Sequence, residues 1–228
     1  LQVSPASALH TLPSDMAEHF YFQDLASQWC CRALDAQPGE RVADLCAAPG
    51  GKSMTVAQYM NNTGLILSGD IHDHKCAAMT RRVARYGLDC ITVEHHDASA
   101  LPKDDLCGTF DRVLCDVPCS GFGTVSENPD IKIFKKEGDI AALCKTQRAI
   151  LDTCARYVKK GGYLYYSTCS VFADENDKQV ETFLKTHADF EMEVFESPLP
   201  YERKKYGLQF LPDSAFGAGF YVARLKRV

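Results

Sequence analysis

Two short segments of this 228-residue chain set cysteines where a thiolate could act as a nucleophile. One is Asp116-Val117-Pro118-Cys119-Ser120-Gly121, the other Ser167-Thr168-Cys169-Ser170. Each follows a run of β-type residues, so each cysteine lies just past the C-terminal end of an expected strand. If those strands are neighbours in one sheet, both thiols face the same cleft, and a crossover helix must join the strands. A thiolate there suits one reaction well. Cytosine C5 is a poor nucleophile toward a methyl sulfonium, but addition of a thiolate to C6 makes C5 enamine-like. C5 then takes up the methyl group, and loss of the C5 proton lets the thiol leave. This chemistry needs thiolate, so the site must depress a cysteine pKa. A helix starting near Asp174 would contribute if its N-terminus points at Cys169. Asp116 is a candidate to hydrogen-bond the ring nitrogen or amino group of the base, and Lys52 to orient it or assist proton transfer. Either cysteine alone reads more simply as a buried small hydrophobe. The pair at adjacent strand ends is what carries the chemistry.

A methyl donor needs a seat in the same cleft. The run Asp44-Leu45-Cys46-Ala47-Ala48-Pro49-Gly50-Gly51-Lys52-Ser53 follows the first expected strand and leads into a helix. Strand, glycine-rich turn and helix together present backbone N–H groups to a ligand at the carboxyl edge of a sheet. The small residues Ala47, Ala48, Gly50 and Gly51 let such a ligand come close. Asp70 stands twenty positions after Gly50, at the end of the second strand, where the ribose hydroxyls of a nucleoside cofactor are gripped. Asp97 follows the third strand and is the candidate for the adenine edge. The turn lacks G-x-G-x-x-G, which disfavours a dinucleotide. Gly51-Lys52-Ser53 resembles the end of a phosphate-binding loop, but the first glycine of that motif is missing.

The elements that must position these residues alternate along the chain. Strands are expected at 41–45, 65–70, 91–95, 110–116 and 163–167, with later ones near 190–195 and 219–225. Helices are expected at 53–60, 74–86, 139–158 and 175–185. In the long one, Ile140, Leu143, Cys144, Ile150, Leu151, Cys154 and Val158 fall at near-helical spacing, with Gly161-Gly162 as its stop. Such alternation implies an α/β fold, a mostly parallel sheet with helices on both faces. The first 35 residues differ: Ser4-Pro5 and Leu12-Pro13 punctuate a loop, and 24–34 then reads as a helix before the turn at Pro38-Gly39. Residues 1–35 are expected to form an extension packed on a catalytic domain of 36–228.

Composition narrows the class. Hydrophobic residues make up 46% and charged residues 24%, enough for one sizeable core. No apolar run approaches the roughly 18 residues of a membrane span, and the start shows no signal-peptide pattern. Eleven cysteines, several inside apolar runs and none spaced C-x-x-C, argue for buried thiols in a reducing, cytoplasmic compartment and against a metal site. The net charge of −5 is unusual for a nucleic-acid enzyme. Basic clusters nonetheless occur at Arg81-Arg82 with Arg85, at Lys132 with Lys135-Lys136, and at Arg203-Lys204-Lys205, each by default a solvated surface.

From about Phe22 to the C-terminus the chain resembles the RsmB/NSUN family of RNA 5-methylcytosine methyltransferases, particularly its bacterial RsmB branch. The resemblance rests on the D-x-C-A-A-P-G-G-K run from Asp44 to Lys52, the D-x-P-C-S-G run from Asp116 to Gly121, and Thr168-Cys169-Ser170. Asn128-Pro129-Asp130-Ile131-Lys132 and Gly207-Leu208-Gln209-Phe210-Leu211-Pro212 are similar too. It implies the class I S-adenosylmethionine-dependent methyltransferase fold, Rossmann-like, with a seven-stranded sheet whose last strand is reversed. It implies that Cys46, Ala47, Ala48, Pro49, Gly50, Gly51, Lys52, Asp70, Asp97 and Asp116 line the S-adenosylmethionine site. Cys169 would be the nucleophile on C6, and Cys119 would help release the product. It further implies small-subunit ribosomal RNA as partner and a separate N-terminal RNA-binding domain that this chain lacks. The chain departs from the family at Ser126-Glu127, where basic residues are frequent, at Phe134 in place of Trp, and at Ala218 in place of Asp.

Two other readings stay in view. A DNA cytosine-C5 methyltransferase would use Cys119 as nucleophile. A non-catalytic RNA-binding module for ribosome assembly would keep the fold without binding the cofactor.

Overall fold

A computed structural model of the chain describes residues 20–100, 102–212 and 217–228. The expected loop around Ser4-Pro5 and Leu12-Pro13 lies outside the described residues. Five strands, β1 (Arg41–Asp44), β2 (Leu65–Asp70), β3 (Ile91–His95), β4 (Phe110–Asp116) and β5 (Val158–Thr168), run parallel in the order β3-β2-β1-β4-β5. Beyond β5 the last strand, β9 (Phe220–Arg227), is antiparallel to it, Ser167 facing Val222. The reversed strand and the α/β class are as expected.

The strand count is not. Among the described residues the sheet has nine strands rather than seven. The far edge of β9 is shared by two short strands: β6 (Phe190–Met192) pairs with its Arg227 end and β8 (Leu208–Phe210) with its Phe220 end. A two-residue strand, β7 (Glu202–Arg203), then pairs with β8. Strand β6 falls within the expected 190–195, but β7 and β8, of two and three residues, are too short to show alternation, so periodicity passes over them.

Period-two alternation assigns the two faces. Ala43, Leu67, Val113, Leu164, Tyr166 and Ala223 point to one side, where they pack on α5 (Glu137–Tyr157) and α6 (Asp177–Thr186) through Ile150, Leu151, Cys154, Val180 and Phe183. Their neighbours Val42, Ile66, Leu114, Tyr165 and Val222 point to the other side. There they meet α1 (Leu25–Ala33) and α2 (Gly51–Tyr59), while α3 (Asp73–Arg85) covers the β2–β3 end. Helix α1 is capped by Asp24, whose Oδ1 accepts the Ala26 N–H at 2.8 Å. The other oxygen, Oδ2, accepts the Ala218 N–H at 2.8 Å, tying this N-terminal helix to the stretch before β9.

The junction after α5 also departs from expectation. The helix ends at Tyr157, one residue before the expected 158, and Val158 already pairs with Phe110. The two glycines instead lie inside β5, where the register shifts between Phe110 and Arg112. Gly161 takes φ +78°, a conformation that costs glycine little. Ahead of α5 sits a single turn, α4 (Ile131–Phe134).

Candidate active site

Parallel pairing of β4 with β5 sets Asp116 opposite Ser167, so the two strands end together. Cys119 follows the end of β4 by three residues and Cys169 the end of β5 by one. Their sulfurs lie 2.9 Å apart. Gly123 locks the two loops: its N–H donates to the Cys169 carbonyl at 2.8 Å, and its own carbonyl accepts the Gly219 N–H at 2.7 Å. A Cβ at 123 would stand 2.1 Å from the Gly219 oxygen and 2.7 Å from the Cys169 oxygen, so only glycine fits.

The two thiols are not equivalent. A hydrogen bond from Cys119 depresses the Cys169 pKa, the Lys52 charge helping while burial and Asp116 oppose. The Cys119 thiol is pushed well up, first by Cys169, then by burial and by the Glu175 carboxylate. The opposed shifts favour the proton on Cys119 over Cys169. Helix α6 begins at Asp177, later than expected, and Asp174 pairs with Lys178 at 2.7 Å instead.

Lys52 and Asp116 form an ion pair, Nζ to Oδ2 at 2.7 Å. Ser167 Oγ donates to the other oxygen of Asp116 at 2.7 Å, and the ammonium lies 5.5 Å from the centre of the Phe220 ring. Burial works to lower the Lys52 pKa, but Asp116 and the neighbouring Cys30 outweigh it and hold the ammonium above its ordinary value.

A cavity of about 370 Å³ runs along the carboxyl ends of the strands, within the size range of small-molecule sites. Cys46, Ala48, Asp70 and Asp97 line it, and Asp116, Cys119 and Cys169 reach the same cavity. Asp70, at the end of β2, accepts the His72 N–H at 3.0 Å. Asp97 accepts the Ser99 N–H at 2.9 Å and the Ser99 hydroxyl at 2.6 Å, and these bonds hold its pKa down. A carboxylate beyond each of two neighbouring strands in a nucleoside-sized cleft fits a nucleoside cofactor.

The other expected cofactor residues do not line this cavity. Ala47 closes the turn, donating its N–H to Gly69 O at 2.8 Å and accepting from Gly50 N–H at 2.7 Å. The Pro49 carbonyl accepts from Arg82 at 2.8 Å. Gly50 has φ +94°, and a Cβ there would press on Met79 at 3.2 Å. Gly51 opens α2 and faces Gln23. These residues shape the turn, and Lys52 reaches the site through Asp116.

Several cavity residues had no signal in the sequence reading: His72 and Lys75 after β2, His96 after β3, and Thr146 on α5. His72 and Lys75 stand two and five positions beyond Asp70, a spacing that could have drawn attention. Of the basic clusters, Arg203, Lys204 and Lys205 pair with Glu196, Glu202 and Glu181. Ile133 and Phe134 are exposed between the lysines of the second cluster. Among the described residues no His, Cys, Asp or Glu group could hold a metal ion. No helix among them is long and apolar enough to cross a membrane.

Comparison with known proteins points the same way. A family model described as 16S rRNA methyltransferase RsmB/F matches residues 31–226. The chain is 40% identical over 210 residues to the probable ribosomal RNA small subunit methyltransferase B of Bacillus subtilis, covering 90% of this chain and 47% of that protein. It is 34% identical over 230 residues to a 28S rRNA (cytosine-C(5))-methyltransferase of Mus musculus, covering 94% and 29%. The solved structure of NSun6 from Pyrococcus horikoshii with SFG superposes with a TM-score of 0.83 at 27% identity, covering 100% of this chain and 56% of that one. The chain spans about half the length, or less, of these curated relatives.

Proposed function

The chain belongs to the RsmB/F family of 16S rRNA methyltransferases, and from that premise we propose that it transfers the methyl group of S-adenosylmethionine to C5 of a cytosine in small-subunit ribosomal RNA. The observation that carries the proposal is the sulfur pair, 2.9 Å apart on a cofactor-sized cavity, with the Cys169 thiol held below its ordinary pKa by its Cys119 neighbour.

In this reading Asp70 grips the cofactor ribose, and Cys46, Ala48 and Asp97 hold its nucleoside. When bound, the cofactor supplies an electrophilic methyl group on a sulfonium sulfur. The target base must be unpaired or turned out of its helix to reach the cleft. Lys52 and Asp116 hold the polar edge of the base, Asp116 as acceptor and Lys52 as the charge beside it. The Cys169 thiolate adds to C6, and the C5–C6 electron pair moves to C5, which would take the methyl group from the sulfonium and leave a neutral thioether behind. Loss of the C5 proton restores the double bond and expels Cys169 as thiolate. Cys119 stands next to the departing sulfur and assists release. Depression of the Cys169 pKa matters because only the thiolate adds. The overall charge of −5 fits a catalytic unit that shares RNA binding with a separate N-terminal domain.

The test replaces each cysteine in turn and incubates the protein with ribosomal RNA and S-adenosylmethionine. Cys119→Ala should accumulate a covalent RNA–protein adduct that survives denaturing electrophoresis. Cys169→Ala should give neither adduct nor 5-methylcytosine. An adduct formed by Cys169→Ala and lost in Cys119→Ala would make Cys119 the nucleophile and overturn the assignment. Failure of the unaltered chain to bind millimolar S-adenosylmethionine would point instead to a non-catalytic RNA-binding module.

A further inference from the structure

Next to the two sulfurs lies a carboxylate that the chemistry above leaves unused. Glu175 is fully buried, and its side-chain contacts are four uncharged donors. Oε1 accepts the Ser120 N–H at 2.8 Å and Gln147 Nε2 at 2.9 Å. Oε2 accepts the hydroxyls of Ser120 at 2.6 Å and Ser170 at 2.5 Å. Bonds to an ionised acceptor are short and strong, and a carboxylate, which only accepts, matches four donors well.

The placement of those donors is informative. Ser120 follows Cys119 directly, and Ser170 follows Cys169 directly. One carboxylate thus fastens both thiol loops from the same side. Gln147 adds the crossover helix to the clamp, since its Nε2 also donates to the Pro118 carbonyl at 3.0 Å. The charge is not shared evenly, because two of the four bonds go to residue 120 and one to residue 170.

We propose that Glu175 is a positioning residue for the thiol pair: it clamps the Cys119 and Cys169 loops together and so holds the Cys119 thiol against the Cys169 sulfur. The Glu175 charge also contributes to the raised pKa of Cys119. This inference rests on the reading of Cys169 as nucleophile, but it makes a claim about thiol reactivity that needs no RNA.

The test is Glu175→Gln in the whole chain. Cys119 and Cys169 are alkylated with iodoacetamide across a pH series, each site is quantified by peptide mass spectrometry, and S-adenosylmethionine affinity is measured alongside. The Gln amide offers N–H groups to serine hydroxyls that already donate, and it carries no charge. With the clamp loosened, the Cys119 thiol no longer holds its hydrogen bond to Cys169, so Cys169 alkylation at neutral pH should fall about tenfold, equivalent to a rise of about one pKa unit. Its preference over Cys119 should narrow, and cofactor affinity should stay unchanged, since Glu175 lines no part of the cavity. Ser170→Ala and Ser120→Ala each remove one donor and should move the Cys169 profile the same way by a smaller factor. They decide the matter if the Gln variant does not fold. An unchanged Cys169 profile in folded variants, even with lowered thermal stability, would reduce Glu175 to a structural post and overturn the proposal. The outcome is separate from the adduct test, which can fail while the thiolate bias persists.

Discussion

Removing one charge of the Lys52–Asp116 pair should cost more than removing both. Nζ and Oδ2 are 2.7 Å apart, and the two side chains are only 18% and 22% exposed. At an effective dielectric constant of about 20, two unit charges at that distance attract by roughly 6 kcal/mol before desolvation is counted. Most of that attraction offsets lost hydration, so the net worth of the pair is small. Cutting one partner is different, because the survivor stays desolvated. Lys52→Met keeps the aliphatic stem but leaves the carboxylate with the Ser167 hydroxyl as its remaining side-chain donor. The expected loss is about 3 kcal/mol, and Asp116→Asn should cost a similar amount by stranding the ammonium. The double variant carries neither charge, so it should cost only about 2 kcal/mol, less than either single change and about 4 kcal/mol short of their sum. Urea unfolding of the four proteins, with m-values compared, measures the cycle. Additivity within about 0.5 kcal/mol would refute the claim that these groups act as one buried pair.

Two further changes probe the cofactor side. Asp70→Asn keeps an acceptor for the His72 N–H but removes the charge proposed to grip ribose. Its affinity for S-adenosylmethionine should weaken about 10- to 100-fold by calorimetry at unchanged fold, the range for a hydrogen bond to a charged group; unaltered affinity would place the ribose elsewhere. Asp44 is buried below the turn and its pKa is pushed up to about 7, chiefly by burial, against the lowering effect of the Ser53 hydroxyl. A raised folded-state value means that its contribution to stability is complete below about pH 4 and is lost as pH rises toward about 7. Asp44→Asn is fixed in the neutral form, so its melting temperature should fall less than that of the unaltered chain over that window. Parallel curves would remove Asp44 as a source of the pH dependence.

The parts of the fold that the sequence made legible are those built on long periodic runs. Strands β1 to β4 and α5 fall where alternation and helical spacing put them, since a half-buried element must repeat its apolar residues on one face. The short strands β7 and β8 left no such trace, and Gly161-Gly162 looked like a helix stop because a glycine pair marks a turn in either setting. At the site, Cys119, Cys169, Asp116 and Lys52 were visible because each sits in a motif at a strand end. Glu175 was read only as the first residue of a helix. Its role depends on two serines in separate loops, 55 and 5 positions away, and on a glutamine 28 positions away. Convergence from that many segments is a property of the packed chain, and local pattern does not encode it.

Topology explains why the two halves of the chemistry meet. Strand order reverses at β1, whose neighbours are β2 on one side and β4 on the other. Loops leaving β1 and β2 turn toward one flank and those leaving β4 and β5 toward the other, so a crevice opens between them at the carboxyl edge. Cys46 and Asp70 come from the first group, and Cys119 and Cys169 from the second. In the proposed function, a methyl donor seated over β1–β2 and a base held over β4–β5 would face each other across a single strand boundary. Lys52 bridges that boundary, reaching from the turn after β1 to Asp116 at the end of β4. One ion pair thus couples the cofactor turn to the thiol site, and the sign of its effect on Cys169 follows: the ammonium lowers the thiol pKa and the carboxylate raises it.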